Sequence, residues 1–335
     1  MADLRKLEEV EYVGWCCTYL PLELIEAFGL VPYRLLPEEE SPEGASLLDP
    51  NLCPYVRSLV GYIERRRDLK GIVLLNSCDG MRRLFDLISL FLRVPCFLLD
   101  VPRGQGPAEI IYFRECLEQL VLWLEGISGR RLEEEALLTA IAEANETRAL
   151  LKVHMETGAR PSFIFRLMRD SFAMGREAFN ERLRRLPFEE RREKGKISIL
   201  LTGSLLEKGC LVELIEDLGV HVEALDLCTG PRFAERVEVG DDPLLSLSRA
   251  YLTKPACARM VCDLRESYLE RSVASVQGVI YYAPKFCDPY LYSLLSLRRL
   301  CKKEGVPLLV LEGDYSGRLT GGMRTRVEAF VERWI

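Results

Sequence analysis

The stretch GIVLLNSCDGMRRLFDLISLFLRVPCFLLDVP at residues 71–102 has a counterpart, GVIYYAPKFCDPYLYSLLSLRRLCKKEGVPLLVLEGDY, at residues 278–315. Each stretch has a glycine, an apolar strand, a Cys-Asp pair, an amphipathic helix, a Val-Pro step, a second apolar strand and an acidic turn. A strand, a helix and a second strand in this order are typical of two parallel strands joined by a crossover helix. We therefore predict an α/β unit in each half of the chain.

The same alternation continues on both sides of these stretches. Short apolar runs predict strands at 30–36, 71–75 and 95–101 in the first half, and at 196–201, 221–227, 278–282 and 307–311 in the second. Periodic apolar positions predict helices at 21–28, 80–92, 205–218 and 289–303. This alternation predicts parallel sheets covered by helices.

The two halves also resemble each other in detail. PLELIEAFGLVPYRLL at 21–36 parallels LVELIEDLGVHVEALDL at 211–227, and the Cys-Asp pairs at 78–79 and 287–288 stand at matching points, 209 residues apart. Chance similarity between two such units is the alternative explanation. The repeated Cys-Asp at the junction of strand and helix favours an internal duplication.

A helical region separates the two units. From 107 to about 192 the pattern is helical throughout, with breaks at 126–129, 158–161 and Pro187, and the charged segment 182–196 is typical of a solvated helix leading into a linker. We predict a first α/β domain at 1–106 with Cys17, Cys53 and Cys78, and a helical region and linker at 107–195. A second α/β domain follows at 196–335 with Cys228, Cys257 and Cys287.

Length and charge limit the function. The 335 residues, 48% of them hydrophobic, are enough for two domains of about 150 residues each. The net charge of −6 argues against general binding of nucleic acid, which requires a concentrated basic field. The sequence shows no apolar stretch of about 18 residues and no apolar signal-peptide core at its charged start, so we predict a cytoplasmic protein without a membrane partner.

The cysteines and histidines limit the chemistry further. There are 12 cysteines and 2 histidines, which disfavours histidine-rich metal sites and Ser-His-Asp catalysis. Because the cytosol keeps thiols reduced, these cysteines do not indicate a disulfide scaffold. Some are explained as small core residues.

Six cysteines lie at predicted strand ends or helix starts: Cys17, Cys53, Cys78, Cys228, Cys257 and Cys287. Ligands of open parallel sheets bind outside the carboxyl ends of the strands. A helix start there lowers the pKa of a thiol, so we expect thiolates that can bind metal. The remaining positions predict core residues at Cys96, Cys116, Cys210, Cys262 and Cys301, while Cys16 is ambiguous beside Cys17.

The spacing of these cysteines excludes the local metal motifs. No Cys-x-x-Cys pair occurs, which excludes zinc ribbons and thioredoxin sites, and ferredoxin-type runs are also absent. The remaining possibility is a metal site whose ligands come from distant loops and meet in the cleft between two domains. Its natural occupant is an iron–sulfur cluster. The alternative is that the cysteines are scattered structural residues. The chain shows no phosphate-binding glycine motif, and hence no nucleotide site of its own.

Six segments of the sequence resemble the 2-hydroxyacyl-CoA dehydratase / benzoyl-CoA reductase family. They are distributed in order over nearly the whole chain: CTYLPLE at 17–23 with Gly29 and Pro32, NLCPYVRS at 51–58, SCDG at 77–80, LTGS at 201–204, KFCDP at 285–289 and TRVEAF at 325–330. The family includes the double-cubane-cluster reductases, which share similar Leu-Cys-Pro and Cys-Asp-Gly stretches.

The resemblance implies two flavodoxin-like domains with a helical middle region and an iron–sulfur cluster held by cysteines in the interdomain cleft. It also implies an identical or homologous second subunit and a separate ATP-hydrolysing iron–sulfur activator that supplies one electron at low potential. In the dehydratases of this family, that electron forms a ketyl radical on an acyl-CoA thioester; in the reductases, it enters an aromatic ring or a small substrate.

The resemblance also assigns ligands. Cys17, Cys78 and Cys287 are the best candidates and are enough for a [4Fe-4S] cluster with one open iron site. Adding Cys53, Cys228 and Cys257 gives three thiols from each half, which suits a double-cubane [8Fe-9S] cluster.

Three hypotheses for the function remain open. The first is an oxygen-sensitive, anaerobic reductase or dehydratase component acting on an acyl-CoA. The second is a double-cubane reductase of small molecules. The third is a cluster-free α/β binding or assembly protein, because a fold alone does not fix a function.

Overall fold

Two four-stranded sheets, both entirely parallel, form the frame of the molecule. The structure is a computed structural model that describes residues 10–37, 48–187, 197–232, 235–260, 262–315 and 318–334. The first sheet has the order β2-β1-β3-β4 and contains β1 (Tyr12–Trp15), β2 (Val31–Arg34), β3 (Leu69–Leu75) and β4 (Cys96–Leu99). The second has the equivalent order β6-β5-β7-β8 and contains β5 (Ser198–Gly203), β6 (His221–Asp226), β7 (Gly278–Pro284) and β8 (Leu308–Gly313). The predicted α/β fold is confirmed.

Helices cover the sheets and fill the region between them. In chain order they are α1 (Leu22–Glu26), α2 (Pro54–Arg65), α3 (Asp79–Phe91), α4 (Pro107–Ser128), α5 (Glu134–Glu156), α6 (Pro161–Ser171), α7 (Arg176–Arg185), α8 (Cys210–Asp217), α9 (Pro243–Thr253), α10 (Asp263–Ala274), α11 (Asp288–Glu304) and α12 (Gly321–Val331). Within the described ranges, no helix is long and apolar enough to cross a membrane.

The central strands explain why the sequence patterns were informative. All seven residues of β7 and six of the seven in β3 are buried, because helices cover both faces of a parallel sheet. Gly71 and Gly278, which open the two repeated stretches, have equivalent roles. A Cβ atom at either position would lie 2.7 Å from a tryptophan ring, that of Trp123 or Trp334 respectively, so each glycine lets a helical segment approach its sheet closely.

The helical region departs from the prediction in one place. The predicted breaks near 129 and 160 are present, but a further break at 172–175 separates α6 from α7. The predicted helix at 205–218 begins later, at Cys210. Most of the predicted linker, residues 188–196, lies outside the described residues.

The second half of the chain also contributes to the first core. Helix α9 packs against α4, and Leu247 and Leu252 of α9 belong to the same buried cluster as Val73 of β3 and Leu117 of α4. This packing holds the loop after α9 beside the carboxyl end of the first sheet.

Candidate functional site

All six cysteines predicted to be cluster ligands line one small cavity. The cavity has a volume of about 100 Å³, lies at the carboxyl ends of the strands of both sheets and is lined by Cys17, Cys53, Cys78, Cys228, Cys257 and Cys287. Cys16 lines it as well. We call this volume the six-cysteine cavity, after the six predicted ligands.

Three of these thiols stand at helix starts. Cys53, Cys78 and Cys287 are the residues immediately before α2, α3 and α11, and a proline occupies the first turn of α2 and of α11. Proline is favoured at the first turn of a helix because no intrahelical partner exists there for its missing N–H. Backbone N–H groups of the first turn point at the sulfur of Cys53 and of Cys78.

The other three thiols lie in loops after strands or helices. Cys17 follows β1 by two residues, Cys228 follows β6 by two residues, and Cys257 lies between α9 and α10. The backbone N–H of Cys228 donates to the carbonyl of Ser204 at 3.2 Å, and that of Cys257 donates to the hydroxyl of Tyr19 at 3.4 Å. The loops are therefore tied to one another around the cavity.

By their places in the fold, the six thiols form two groups of three. Cys53, Cys78 and Cys287 stand at helix starts, whereas Cys17, Cys228 and Cys257 lie in loops. Each group takes thiols from both halves of the chain, whereas the sequence predicted three thiols from each half without indicating how they would group.

The backbone around Cys287 is unusual. Phe286, directly before it, has a φ of 58°, in the left-handed region that costs a side chain with a Cβ about 1–2 kcal/mol. The hydroxyl of Ser204 is 3.5 Å from the sulfur of Cys287. Gly203, the residue before Ser204, has a φ of 148°. A Cβ atom at this position would lie 1.9 Å from the carbonyl oxygen of Tyr282, so only glycine fits.

The expected lowering of the thiol pKa values is wrong. Burial raises the pKa of Cys17 and of Cys53 to about 11, and it also raises the pKa values of Cys78, Cys228 and Cys287. The backbone N–H groups act in the expected direction, but loss of water outweighs them. Without a bound cation these thiols are therefore protonated, and metal binding would have to displace their protons.

Buried cations surround the cavity. Arg34 and Arg259 line it directly, and the Nζ atom of Lys254 donates to the carbonyl of Thr18 at 2.5 Å. Burial lowers the pKa of Lys254 to about 7. The side chain of Arg259 donates to three carbonyls at the edge of the first sheet, those of Asn76, Val101 and Pro102. A cavity with neutral thiols and two buried guanidinium groups in its wall favours an anionic occupant.

Cys228 has a polar neighbourhood of its own. Its sulfur is 2.9 Å from the hydroxyl of Tyr290 and 3.7 Å from Nη1 of Arg232. Arg232 in turn pairs with the buried carboxylate of Asp226 at 2.5 Å. No local sequence pattern indicated Tyr290, because it lies 62 residues from Cys228.

The remaining cysteines divide differently from the prediction. Cys301 is buried as expected, and Cys96 and Cys116 are half-buried. The prediction for Cys210 is wrong, because it is exposed at the first turn of α8. Cys262 immediately precedes α10 and lines a neighbouring pocket instead of lying within a helix.

The neighbouring pocket is larger than the six-cysteine cavity, and more of its lining residues are polar. It has a volume of about 700 Å³, and the aspartates that follow Cys78 and Cys287, Asp79 and Asp288, both line it. The two cavities share Ser77, Cys78, Arg259 and Pro289. A molecule in the larger pocket would therefore lie beside one of the thiols.

The donor set fits a cluster better than a single ion. Across the described ranges, no group of three or more His, Cys, Asp or Glu side chains is placed to hold one metal ion. Six thiols nevertheless line one volume, and thiolate is the main protein ligand of iron–sulfur clusters. In a cluster, inorganic sulfide bridges several metal ions. Thiols that are too far apart to bind one ion could therefore bind different ions of the same cluster.

Known proteins with similar sequences are named as subunits of dehydratases and of a reductase. Over 98% of its length this chain is 26% identical to the proposed dehydratase subunit YjiM of Escherichia coli (strain K12), covering 93% of that protein. It is 26% identical to one of the subunits of the benzoyl-CoA reductase of Thauera aromatica over 92% of this chain and 86% of the relative. It is 21% identical to the (R)-phenyllactyl-CoA dehydratase beta subunit of Clostridium sporogenes over 96% of this chain and 91% of the relative.

The family match covers almost the same range. Residues 17–333 match the family described as 2-hydroxyglutaryl-CoA dehydratase, D-component, and this range contains the six cavity cysteines predicted to be ligands. The relatives above are named as subunits, which implies enzymes of more than one subunit. The chain belongs to the 2-hydroxyglutaryl-CoA dehydratase D-component family and is an enzyme component of the dehydratase and reductase type.

Proposed function

We propose that this chain is the iron–sulfur component of a low-potential reductase or dehydratase, and that the six-cysteine cavity holds its cluster. The observation that carries the proposal is the convergence of six thiols, from six separate loops, on one cavity at the carboxyl ends of both sheets. Packing alone gives no reason for such a convergence, because cysteines used as small core residues need not meet.

The arrangement favours two linked cubanes over one. Cys17 belongs to the group of three loop thiols, while Cys78 and Cys287 belong to the group at helix starts. A single [4Fe-4S] cluster on these three would leave Cys53, Cys228 and Cys257 without a role. Two groups of three thiols on one cavity suit a double-cubane [8Fe-9S] cluster.

The residues around the cavity have defined tasks in this proposal. When bound, the cluster would supply one-electron chemistry at a low potential, which depends on its charge, its hydrogen bonds and its exposure. The first-turn N–H groups after Cys53 and Cys78 would donate to sulfur, and the buried walls would exclude water. The pocket beside Cys78 would admit the substrate.

The names of the relatives and the sequence support a set of partners. Benzoyl-CoA reductase and phenyllactyl-CoA dehydratase act on CoA thioesters by name, so we propose an acyl-CoA substrate, with a small molecule as the alternative for a double-cubane reductase. Because the sequence has no phosphate-binding glycine motif, the ATP-hydrolysing activator would be a separate protein. An identical or homologous second subunit, an anaerobic setting and a cytoplasmic location complete the proposal.

Alanine substitution of single cysteines tests both parts of the proposal. In anaerobically purified protein, Cys78→Ala and Cys287→Ala should lose most of the bound iron and the visible absorption, because each removes a ligand. The same loss in Cys53→Ala, Cys228→Ala and Cys257→Ala would support six ligands. If these three variants keep their iron, the cluster is a single cubane.

Cys116→Ala is the matched control, because Cys116 is half-buried but lies in α4, away from the cavity. It should keep the iron content of the wild type. Equal iron loss from Cys116→Ala and Cys78→Ala would contradict the assignment of ligands. An iron-free wild type would favour a cluster-free binding or assembly protein.

A further inference from the structure

Arg34, the last residue of β2, has donors that the protein leaves unused. Its side chain is 2% exposed and lines the six-cysteine cavity. Its Nη2 atom donates to the carbonyl oxygen of Cys228 at 2.8 Å. In the part of the chain that the structure describes, its Nε and Nη1 atoms have no hydrogen-bond partner. Buried guanidinium donors without acceptors are rare and costly, so their presence needs an explanation.

Two aromatic rings hold this guanidinium in place. Its central carbon lies 4.9 Å from the ring centroid of Trp15 and 4.3 Å from that of Phe172. The backbone N–H of Arg34 also donates to the carbonyl of Phe172 at 3.0 Å. With the rings on its flank and the Cys228 carbonyl at one end, the side chain is fixed beside the cavity.

Among the described residues, the charge of Arg34 has no counter-ion. It forms no ion pair with any of them, whereas the buried guanidinium groups of Arg148 and Arg232 pair with Glu23 and Asp226. A buried charge without a partner strongly destabilises a fold. The groups that interact with Arg34 electrostatically include the thiols of Cys17 and Cys228, which carry negative charge only when ionised.

We propose that Arg34 is a positioning residue for the cluster of the proposed function: its free N–H groups donate to cluster or thiolate sulfur, and its charge stabilises the reduced state. Reduction adds one electron, taken from an external one-electron donor, and breaks no bond. A fixed positive charge beside the added electron raises the reduction potential. The inference rests on the proposed function, since Arg34 needs an anionic occupant to act on.

The test is a potentiometric EPR titration of anaerobically purified protein with Ti(III) citrate, in which Ti(III) becomes Ti(IV) as the protein gains its electron. At any fixed solution potential, Arg34→Met should lower the ratio of reduced to oxidised cluster at least tenfold, a shift of about 59 mV for one electron. Arg34→Lys keeps the charge and should recover most of that ratio. Iron content is measured on the same samples.

Arg66→Met is the matched control, because the guanidinium of Arg66 also stacks on an aromatic ring, 4.0 Å from the centroid of Tyr33, but does not line the cavity. Its potential should equal that of the wild type. An Arg34→Met protein with full iron and an unchanged potential would overturn the role of Arg34 while leaving the proposed function intact. A wild type without iron would instead overturn the proposed function.

A second neutral variant keeps the test decisive if Arg34→Met loses its cluster. In that case Arg34→Gln, which keeps an uncharged N–H donor, is compared with Arg34→Lys. The same tenfold lower ratio in Arg34→Gln would support the role of the charge. Equal potentials in the two variants would overturn it.

Discussion

At the scale of single residues, the site depends on backbone conformations that set the direction of a thiol. Phe286 has a φ of 58° and immediately precedes Cys287. Its side chain is 42% exposed, so packing of the ring does not account for the conformation. Strained backbone of this kind persists where the surrounding structure fixes it, often at functional sites. The turn therefore serves to place Cys287 at the start of α11.

Substitution of Phe286 tests this interpretation. Because glycine adopts a positive φ freely and a β-branched residue does so only with strain, Phe286→Val should be less stable than Phe286→Gly by about 1–2 kcal/mol. Urea denaturation of anaerobic protein measures the difference. Tyr292→Val, at an 81% exposed position in α11, is the control and should cost about 0.5 kcal/mol or less. Equal stability of the two Phe286 variants would show that the turn is not strained.

At the scale of elements, a buried polar network holds the helices around the first sheet. The carboxylate of Glu23 in α1 pairs with Arg148 of α5 and accepts a hydrogen bond from the hydroxyl of Tyr251 in α9 at 2.7 Å. Burial alone would raise the pKa of Glu23, but Arg148 and Arg176 outweigh it and hold the pKa below its ordinary value. This network connects α9, and the Cys257 loop after it, to the first half.

Removing the charge of Glu23 should therefore loosen three helices together. We expect Glu23→Gln to lower the free energy of unfolding by about 3–5 kcal/mol, because it leaves Arg148 buried without a carboxylate. Since the folded pKa of Glu23 is lowered, its contribution is present above the ordinary pKa of 4.5 and is lost as the pH falls through the folded value. The difference between wild type and variant in urea denaturation should therefore shrink below about pH 4.

Asp68→Asn provides the comparison for Glu23→Gln. Asp68 pairs with Arg66 at 2.6 Å, but its side chain is 45% exposed, and exposed pairs contribute about 0–1 kcal/mol. A Glu23→Gln variant as stable as Asp68→Asn would contradict the role of the buried network.

At the scale of the whole molecule, two sheets with the same strand order place their carboxyl ends around one cavity. The sequence predicted the long strands because strands such as β3 and β7 are buried on both faces and are almost continuously apolar. It did not predict β1 as a strand, since Gly14 interrupts the apolar run of Tyr12–Trp15. Strands β2 and β4 are equally short but lie within longer apolar runs. The loops that carry the thiols follow strands or precede helices, which is why six ligands could be proposed from position alone.

Other parts of the site depend on contacts that no local pattern records. Arg34 looks like an ordinary strand residue, and its contact with the Cys228 carbonyl joins positions 194 residues apart. The raised thiol pKa values come from burial by both halves, whereas the sequence shows only the local effect of a helix start. Apolar neighbours likewise suggested a core position for Cys210 without showing which side of α8 it occupies.

We expect the six thiols from both halves of the chain to hold one iron–sulfur cluster. Iron and acid-labile sulfide analysis of the anaerobically purified wild type, together with its visible spectrum, measures this cluster. The protein should be coloured and contain about eight irons per chain, whereas about four irons would reduce the ligand set to a single cubane. A colourless protein without iron or sulfide would show that the thiols hold no cluster.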